Sequence, residues 1–259
     1  MNGSLPAALI TGAANRIGRA IAVELASHGT PVAVHYNRSA DAASALITDI
    51  EKAGGTAVAI SADLLKADQA HAVIGDASRA LGEPIGCLIN NASIFAKDEV
   101  GSLSADLFEA HFAIHATVPA LLSDAMVNQL PASEDGLVVN IIDQRVWRLT
   151  PHFPSYTASK AALWCLTQTL AQAYAETTQG RVRVNAIGPG PTLANERQQP
   201  EDFQAQLDGI PLGRGAQLRD FGTTIQYLWA MRSITGQMVA LDGGQHLSWQ
   251  TPDVLNANE

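Results

Sequence analysis

The chain has 259 residues, of which 47% are apolar and 16% charged, and its formal net charge is -9. This composition is typical of a compact globular protein and excludes a disordered chain. The excess of acidic residues argues against general binding to nucleic acid or to anionic membranes, although a local basic pocket remains compatible with it. No apolar run reaches the roughly 20 residues of a membrane span, and no secretory leader is recognisable. We therefore expect a cytoplasmic protein in which Cys87 and Cys165 are buried free thiols.

Short apolar runs alternate with longer segments of helical periodicity along the whole chain. Parallel strands joined by right-handed helical crossovers build a doubly wound sheet. The sequence therefore predicts a single α/β domain over residues 1–259, with a Rossmann-type doubly wound parallel sheet. The predicted strands are 7–11, 31–36, 56–60, 85–90, 136–142, 181–187 and 238–241. The predicted helices are 19–28, 37–55, 68–81, 105–130, one that Tyr156 opens, a loose one near 201–207, and 218–231.

Sheets of this kind bind ligands beyond the carboxyl ends of their strands. The first of these ends carries the segment TGAANRIG, residues 11–18, at a strand-to-helix turn. Gly12 permits a positive φ there, and the N-terminus of the following helix offers free N–H groups to an anion. The alternative is an ordinary βα turn with no ligand. Arg16 within the turn favours the interpretation as a phosphate-binding loop.

The end of the second strand, HYNRS, carries no carboxylate that would bind a ribose 2′-hydroxyl. Arg38 can pair with a 2′-phosphate, and Ser39, which is also a plausible helix N-cap, can donate to it. The nearest acid, Asp41, lies too far into the next helix. The sequence thus predicts NADPH rather than NADH.

Asp63, after the third strand, is placed to accept from an adenine amino group or else to cap a helix.

Tyr156 and Lys160 are four residues apart at the start of a helix, so both side chains can point into one cleft. An ammonium beside a phenol lowers the pKa of the phenol from about 10, which would give a proton donor usable near neutral pH. A solvated helix pair is the alternative interpretation.

Taken together, TGAANRIG, NNAS, YTASK, VNAIGPG and LDGG resemble the motifs of the short-chain dehydrogenase/reductases over almost the whole chain. The resemblance implies that Tyr156 is the acid/base, and that Lys160 holds the nicotinamide ribose and lowers the pKa of the phenol. It also implies that the loop after the sixth strand touches the nicotinamide. The predicted cofactor-binding residues are Gly12, Arg16, Ile17, Gly18, Tyr36, Arg38, Ser39, Asp63, Asn91, Ala92, Ser93, Lys160, Pro189, Gly190 and Thr192.

Three positions depart from the general family pattern. Arg16 replaces a glycine, Asp143 replaces the serine that usually contacts the substrate carbonyl, and His115 replaces an asparagine. The first two departures resemble the pteridine reductase and dihydromonapterin reductase branch, in which an aspartate stands thirteen residues before the tyrosine, as Asp143 does here. His115 either serves a water-linked proton relay or is a helix histidine with satisfied hydrogen bonds.

The branch implies hydride transfer to a C=N bond of a dihydropterin. A flat pterin would stack on the ring of Phe95, with Arg16 and Ser93 at its polar edge. A carboxyl such as Asp143, its pKa raised by burial, suits proton delivery to a ring nitrogen together with Tyr156. Three alternatives stay open: reduction of a ketone or aldehyde, a catalytically idle NADPH sensor or scaffold, and an Asp143 that only pairs with Arg145 or Arg148.

Further expectations concern the pocket wall and assembly. No metal site is predicted, and the family resemblance implies a homotetramer in which small residues of the Tyr156 helix allow close packing, namely Ala158, Ala161 and Ala162. We expect Trp147, Arg148, His152 and Phe153 to wall the substrate pocket. We expect Trp164, Trp229 and Trp249 to be core or interface aromatics.

Overall fold

The computed structural model describes residues 4–194 and 199–248, so Trp249 lies outside the described residues. Its centre is one seven-stranded sheet in the order β3-β2-β1-β4-β5-β6-β7, in which every pairing is parallel. The predicted doubly wound parallel sheet is therefore confirmed. The strands are β1 Ala8–Ile10, β2 Val32–Tyr36, β3 Ala57–Ser61, β4 Cys87–Asn90, β5 Gly136–Ile141, β6 Val182–Pro189 and β7 Met238–Leu241.

Helices cover both faces of the sheet. The helix predicted over 105–130 is divided by a π-helical turn at Ala113–Thr117, and the helix predicted from residue 19 begins at Arg16. The α-helices are α1 Arg16–Ser27, α2 Ala40–Lys52, α3 Ala67–Leu81, α4 Ala105–Phe112, α5 Val118–Gln129, α6 Pro154–Thr177, α7 Pro200–Asp208 and α8 Leu218–Ala230. Short 3-10 turns occur at Gln144–Val146 and Gln245–Leu247.

Two apolar layers enclose the sheet because side chains alternate along each strand. On β1, Ala8 and Ile10 face the layer that contains α1, α2 and α8, whereas Leu9 faces the layer that contains α3 and α5. All three side chains are completely buried. Both faces of the strands are thus apolar, which explains why the strands read as continuous apolar runs.

A polar chain crosses the otherwise apolar centre. Asn90 of β4 donates from Nδ2 to Oδ1 of Asn140 on β5 at 2.8 Å. Asn140 in turn donates to Oγ1 of Thr167 on α6 at 2.9 Å. The two asparagines are register partners in the sheet, so the chain ties two central strands to the helix that carries Tyr156.

A buried arginine holds the end of α8. Arg183 of β6 is 5% exposed, and its guanidinium donates to the carbonyl oxygens of four residues. These are Leu228 at 2.6 Å, Trp229 and Met231 at 3.0 Å, and Ile234 at 3.2 Å. Carbonyls at the end of a helix lack partners within the helix, so Arg183 supplies the missing donors and a favourable charge.

The two cysteines differ in exposure. Cys87 is buried in the sheet as predicted, but Cys165 is exposed, because it lies on the face of α6 opposite the buried residues Leu163 and Thr167. The prediction of burial for Cys165 was wrong. Within the described ranges, no helix is long and apolar enough to cross a membrane.

Candidate active site

An open cleft of about 920 Å³ lies at the carboxyl ends of the strands. It gathers most of the residues that the sequence predicts for the site. Those that line it are Gly12, Arg16, Ile17, Gly18, Asp63, Asn91, Ala92, Ser93, Phe95, Asp143, Tyr156, Lys160, Pro189, Gly190 and Thr192.

Most of the predicted residues at the end of β2 lie outside the cleft. Tyr36, Arg38 and Ser39 are at the same edge of the sheet but do not line the cleft, whereas Asn37 between them does. The side chain of Arg38 is exposed to solvent. Ser39 occupies the N-cap position of α2, yet its side chain makes no capping hydrogen bond. The predicted N-cap position of Ser39 is therefore confirmed, although its side chain does not cap the helix.

Tyr156 and Asp143 form a hydrogen-bonded pair inside the cleft. The Tyr156 hydroxyl donates to Oδ2 of Asp143 at 3.2 Å, and the backbone N–H of Arg145 donates to Oδ1 at 2.8 Å. Burial raises the pKa of Asp143, as the sequence predicts. A carboxyl that holds a proton more readily than usual, next to a phenol, can pass that proton to a bound substrate.

Lys160 is buried behind the tyrosine. Its ammonium donates to the carbonyl oxygen of Ile141 at 2.8 Å and lies 5.8 Å from the centroid of the Tyr156 ring. Burial lowers the pKa of Lys160 to about 8.

The expected lowering of the phenol pKa by Lys160 is wrong. Burial raises the pKa of Tyr156 well above its usual value, and the neighbouring carboxylate of Asp143 adds to the rise. Both effects favour the neutral phenol. Tyr156 is thus held as a proton donor.

His115 lies in the π-helical turn, a rare geometry that often marks functional sites. The Ile94 N–H points at Nε2 at 3.3 Å, so Nε2 is the acceptor, and the Ser93 hydroxyl lies 2.8 Å from it. Nδ1 then carries the proton and donates to Ser159 Oγ at 2.8 Å, which donates to the Tyr156 carbonyl oxygen. Burial lowers the pKa of His115 to about 2. Both ring nitrogens are bonded, which matches the helix histidine with satisfied hydrogen bonds.

A second histidine near the tyrosine was missed by the sequence analysis. His111 is fully buried one turn before His115, and its Nδ1 is 2.7 Å from Ser155 Oγ. Buried Asp98 accepts from the Ser155 N–H at 2.9 Å. These contacts hold the first turn of α6 next to Tyr156. Neither His111 nor Asp98 belongs to a motif, and Asp98 lies in a loop, so only the apolar helical context of His111 could have indicated burial.

The glycine turn after β1 is locked to the end of β4. Gly12 has a φ of +62°, and a Cβ there would lie 3.0 Å from Cα of Ala92. Asn91 donates from Nδ2 to the carbonyl oxygens of Thr11 and Gly12 at 2.9 and 3.1 Å. The amide of Gly12 donates to Nδ1 of His35 at 3.0 Å, and burial lowers the pKa of that imidazole to about 4. Hydrogen bonds from neighbouring strands thus fix the backbone of the turn.

Two charged residues predicted to meet the cofactor have protein partners. The guanidinium of Arg16 donates to the carbonyl oxygens of Leu193 and Ala194, both at 3.1 Å, although it lines the cleft. Arg16 therefore connects the glycine turn to the loop after β6, and its contact with a cofactor phosphate stays a prediction. Oδ1 of Asp63 accepts from the Leu65 N–H at 3.2 Å, and α3 has Lys66 at its N-cap, so Asp63 caps a turn and not the helix.

An aromatic cluster covers the tyrosine. Phe95 stacks on Phe153 with ring centroids 4.7 Å apart and contacts Tyr156 edge-on at 4.8 Å. Phe153 lines the cleft as predicted. The prediction was wrong for Trp147, Arg148 and His152, which are exposed and do not line it.

The other tryptophans match their predicted roles where the structure describes them. Trp164 packs partly buried on the cluster around Ile142 and Leu163, and Trp229 packs on the α1–α8 layer. Within the described part of the chain, no group of three or more His, Cys, Asp or Glu side chains is arranged to hold a metal ion.

Comparison with known proteins agrees with this geometry. The family model described as short chain dehydrogenase matches residues 6–204. The chain belongs to the short-chain dehydrogenase family. A 3-oxoacyl-[acyl-carrier-protein] reductase of Synechocystis sp. is 31% identical over 240 residues, which cover 92% of this chain and 95% of the relative. This member of the family is accordingly an oxidoreductase.

Two solved structures are especially similar to this short-chain dehydrogenase. One is FolM alternative dihydrofolate reductase 1 from Brucella suis in complex with NADP, with 52% identity, a TM-score of 0.92, and coverage of 98% of this chain and 100% of the other. The other is the same protein from Brucella canis complexed with NADP, with 53% identity, a TM-score of 0.92 and coverage of 98% of both chains. The similarity supports the predicted pteridine reductase branch.

Proposed function

We propose that the chain is an NADPH-dependent reductase that transfers hydride to a C=N bond of a dihydropterin-like substrate. The observation that carries this proposal is the hydrogen bond from the Tyr156 hydroxyl to Asp143, buried beside Lys160 in the cleft. The relatives named as NADP-bound dihydrofolate reductases support it, because a dihydrofolate contains the same reducible ring.

The cleft fits the pyrophosphate of a dinucleotide. The first turn of α1 contains no acidic residue, and Asn15 at its N-cap makes no side-chain capping bond, so the helix end is open to an anion. Gly12, Asn15 and Gly18 line the cleft at this point. When bound, NADPH supplies the hydride.

Gly18→Ala should raise the Kd for NADPH at least about tenfold. A Cβ at this position would lie 2.5 Å from the Gly12 carbonyl oxygen and 2.6 Å from Nδ2 of Asn91, so the glycine turn must shift. Titration of protein fluorescence with NADPH measures the effect. The matched control is Gly75→Ala within α3, where the added Cβ meets only the flexible end of Arg79. Unchanged affinity in Gly18→Ala would show that the turn does not hold the cofactor.

The same pair can deliver the proton that the reduction requires. As the C=N carbon takes up hydride, its nitrogen gains an electron pair and must be protonated. The neutral Tyr156 hydroxyl can donate at that moment while Asp143, whose pKa burial raises, supplies or orients the proton. Phe95 offers its ring to the flat substrate. The amide contacts of Asn91 keep the adjacent cofactor loop in place.

A carbonyl reductase is the second candidate, favoured by the 31% identical 3-oxoacyl reductase. Asp143 would then hold the carbonyl in place of the usual serine. Oxidation of NADPH followed at 340 nm with a substrate panel separates the two. Turnover of dihydrobiopterin or dihydromonapterin with none of simple ketones and aldehydes supports the proposal, and the reverse result supports the second candidate. Tight NADPH binding without turnover of any substrate would indicate the idle sensor.

Arg38→Ala should weaken NADPH about tenfold and leave the Kd of NADH within twofold. An exposed guanidinium at the end of β2 can pair with a 2′-phosphate, which NADH lacks. Titrations of both cofactors into the variant test this. Arg19→Ala, which removes a surface ion pair with Asp49, is the control. Equal losses for both cofactors would mean that the 2′-phosphate is bound elsewhere.

The assembly and location are proposals as well. We propose a homotetramer, and the exposed Ala158 with the partly exposed Ala161 and Ala162 leaves a small-residue surface on α6 for close helix contact. We also propose a cytoplasmic location. Sedimentation of the purified chain tests the first, and fractionation of cells tests the second.

A further inference from the structure

We propose that Arg145 recognises the ring carbonyl oxygen of the substrate and so selects oxo-pteridines over amino-pteridines. The inference rests on the proposed function and names a determinant of its specificity. Arg145 follows Asp143 by two residues, in the 3-10 turn Gln144–Val146, and lines the cleft.

The guanidinium of Arg145 has unused hydrogen-bond donors. Its Nε and Nη1 atoms are buried, and neither has a hydrogen-bond partner in the described part of the chain. No carboxylate there forms an ion pair with it. The side chain instead lies over the ring of Phe153, with Cζ 5.2 Å from the ring centroid. Buried donors without acceptors are costly, so the arrangement is suited to a ligand that brings an acceptor.

The position of Arg145 is fixed relative to the proton-donating pair. Its backbone N–H donates to Oδ1 of Asp143 at 2.8 Å, and the other oxygen of that carboxylate accepts from Tyr156. The guanidinium lies over Phe153, which stacks on Phe95, and Phe95 in turn contacts Tyr156, so the charged group is at the same end of the cleft as the proton-donating pair. The guanidinium is part of the reacting end of the cleft.

The chemistry of the ring supplies the acceptor. In a 7,8-dihydropterin the reducible C=N nitrogen, N5, lies on the same edge as the oxygen on C4. If N5 faces Asp143 and Tyr156, O4 is the nearest polar atom to their neighbour Arg145. A guanidinium has only donors, so it pairs with a carbonyl oxygen but not with an amino group in the same place. A 4-amino ring is also more basic, and its cation would be repelled.

Folic acid and aminopterin form a matched pair of probes, since they differ only in an oxygen or an amino group at C4. We would measure their Kd values by calorimetry on the protein loaded with NADP+, so that no turnover occurs. In Arg145→Met, the preference for folic acid over aminopterin should fall about tenfold or more, mainly because folic acid binds more weakly. Arg148→Met, an exposed arginine outside the cleft, should keep the wild-type ratio.

A second variant guards against a folding defect. Arg145→Lys keeps the cation but loses the paired N–H groups, and it should restore only part of the preference. Retained NADP+ binding shows that either variant is folded. A ratio within twofold of the wild type in both variants would overturn the role of Arg145, even if the pH profile of kcat shifts through its neighbour Asp143.

The two proposals fail in different ways. If wild-type protein reduces dihydrobiopterin but the ratio does not respond to Arg145, the recognition role alone is overturned. If wild-type protein reduces no dihydropterin and binds neither probe, the proposed function is overturned and this inference with it.

Discussion

Tyr156→Phe is expected to lower kcat at least about a hundredfold while the Kd for NADPH stays within a few fold of the wild type. The substitution removes one oxygen atom, the donor to Asp143, from a residue that is 7% exposed. A positioned general acid contributes about 10²- to 10⁴-fold to a rate, and little of the ring packing against Phe95 is lost. Steady-state oxidation of NADPH with dihydrobiopterin, together with a cofactor titration, measures both quantities.

Tyr174→Phe is the matched control for that experiment. Tyr174 lies on the same helix and is equally buried, but it packs in the apolar layer with α3 and α5 rather than in the cleft. Its loss of a hydroxyl should leave kcat unchanged. Turnover of Tyr156→Phe within tenfold of the wild type would refute the acid role of the phenol.

Arg183→Met should lower the free energy of unfolding by at least about 3 kcal/mol, a value typical of removing one partner from a buried charged network. The variant leaves the carbonyls at the end of α8 without the donors that Arg183 provides, in a site closed to water. For a domain of this size, that loss corresponds to a decrease in Tm on the order of 10 °C. Thermal unfolding followed by circular dichroism, in the absence of cofactor, measures it.

Arg181→Met provides the comparison. Arg181 is two residues earlier in the chain and also donates to carbonyl oxygens, those of Pro131 and Glu134, but at an exposed site. Water can replace its hydrogen bonds, so the Tm should change by no more than about 2 °C. Equal decreases in Tm for the two variants would mean that the burial of Arg183 adds nothing to its stabilising effect.

The sheet could be predicted because each strand is a short apolar run bounded by turn residues, and the parallel order follows from the intervening helices. The edge that holds the ligand was predictable for the same reason. Boundaries were less so: the interruption at Ala113–Thr117 leaves no mark in a sequence whose apolar periodicity continues through it. The start of α1 at Arg16 was also missed, because Gly18 inside a first turn reads as part of the loop.

Within the site, residues that belong to motifs were predictable and residues that act through tertiary contacts were not. Tyr156, Lys160 and Asp143 share a fixed spacing, and they meet in the cleft. Asp98 and His111 reach Ser155 across the fold, so no local pattern marks them. The pKa of Tyr156 was predicted in the wrong direction because spacing reveals a nearby ammonium but not the depth of burial, which outweighs it here.

The hydrogen-bonded chain of two asparagines and a threonine in the centre of the protein disfavours other registers of the central strands. If the pairing of β4 and β5 slipped by one residue, Asn90 and Asn140 would point to opposite sides of the sheet. Their side-chain amides would then be buried in the apolar core without hydrogen-bond partners. A slide of α6 along the sheet would do the same to Thr167. These buried hydrogen bonds therefore fix the position of α6 along the strands. They also fix where the Tyr156 hydroxyl lies in the cleft.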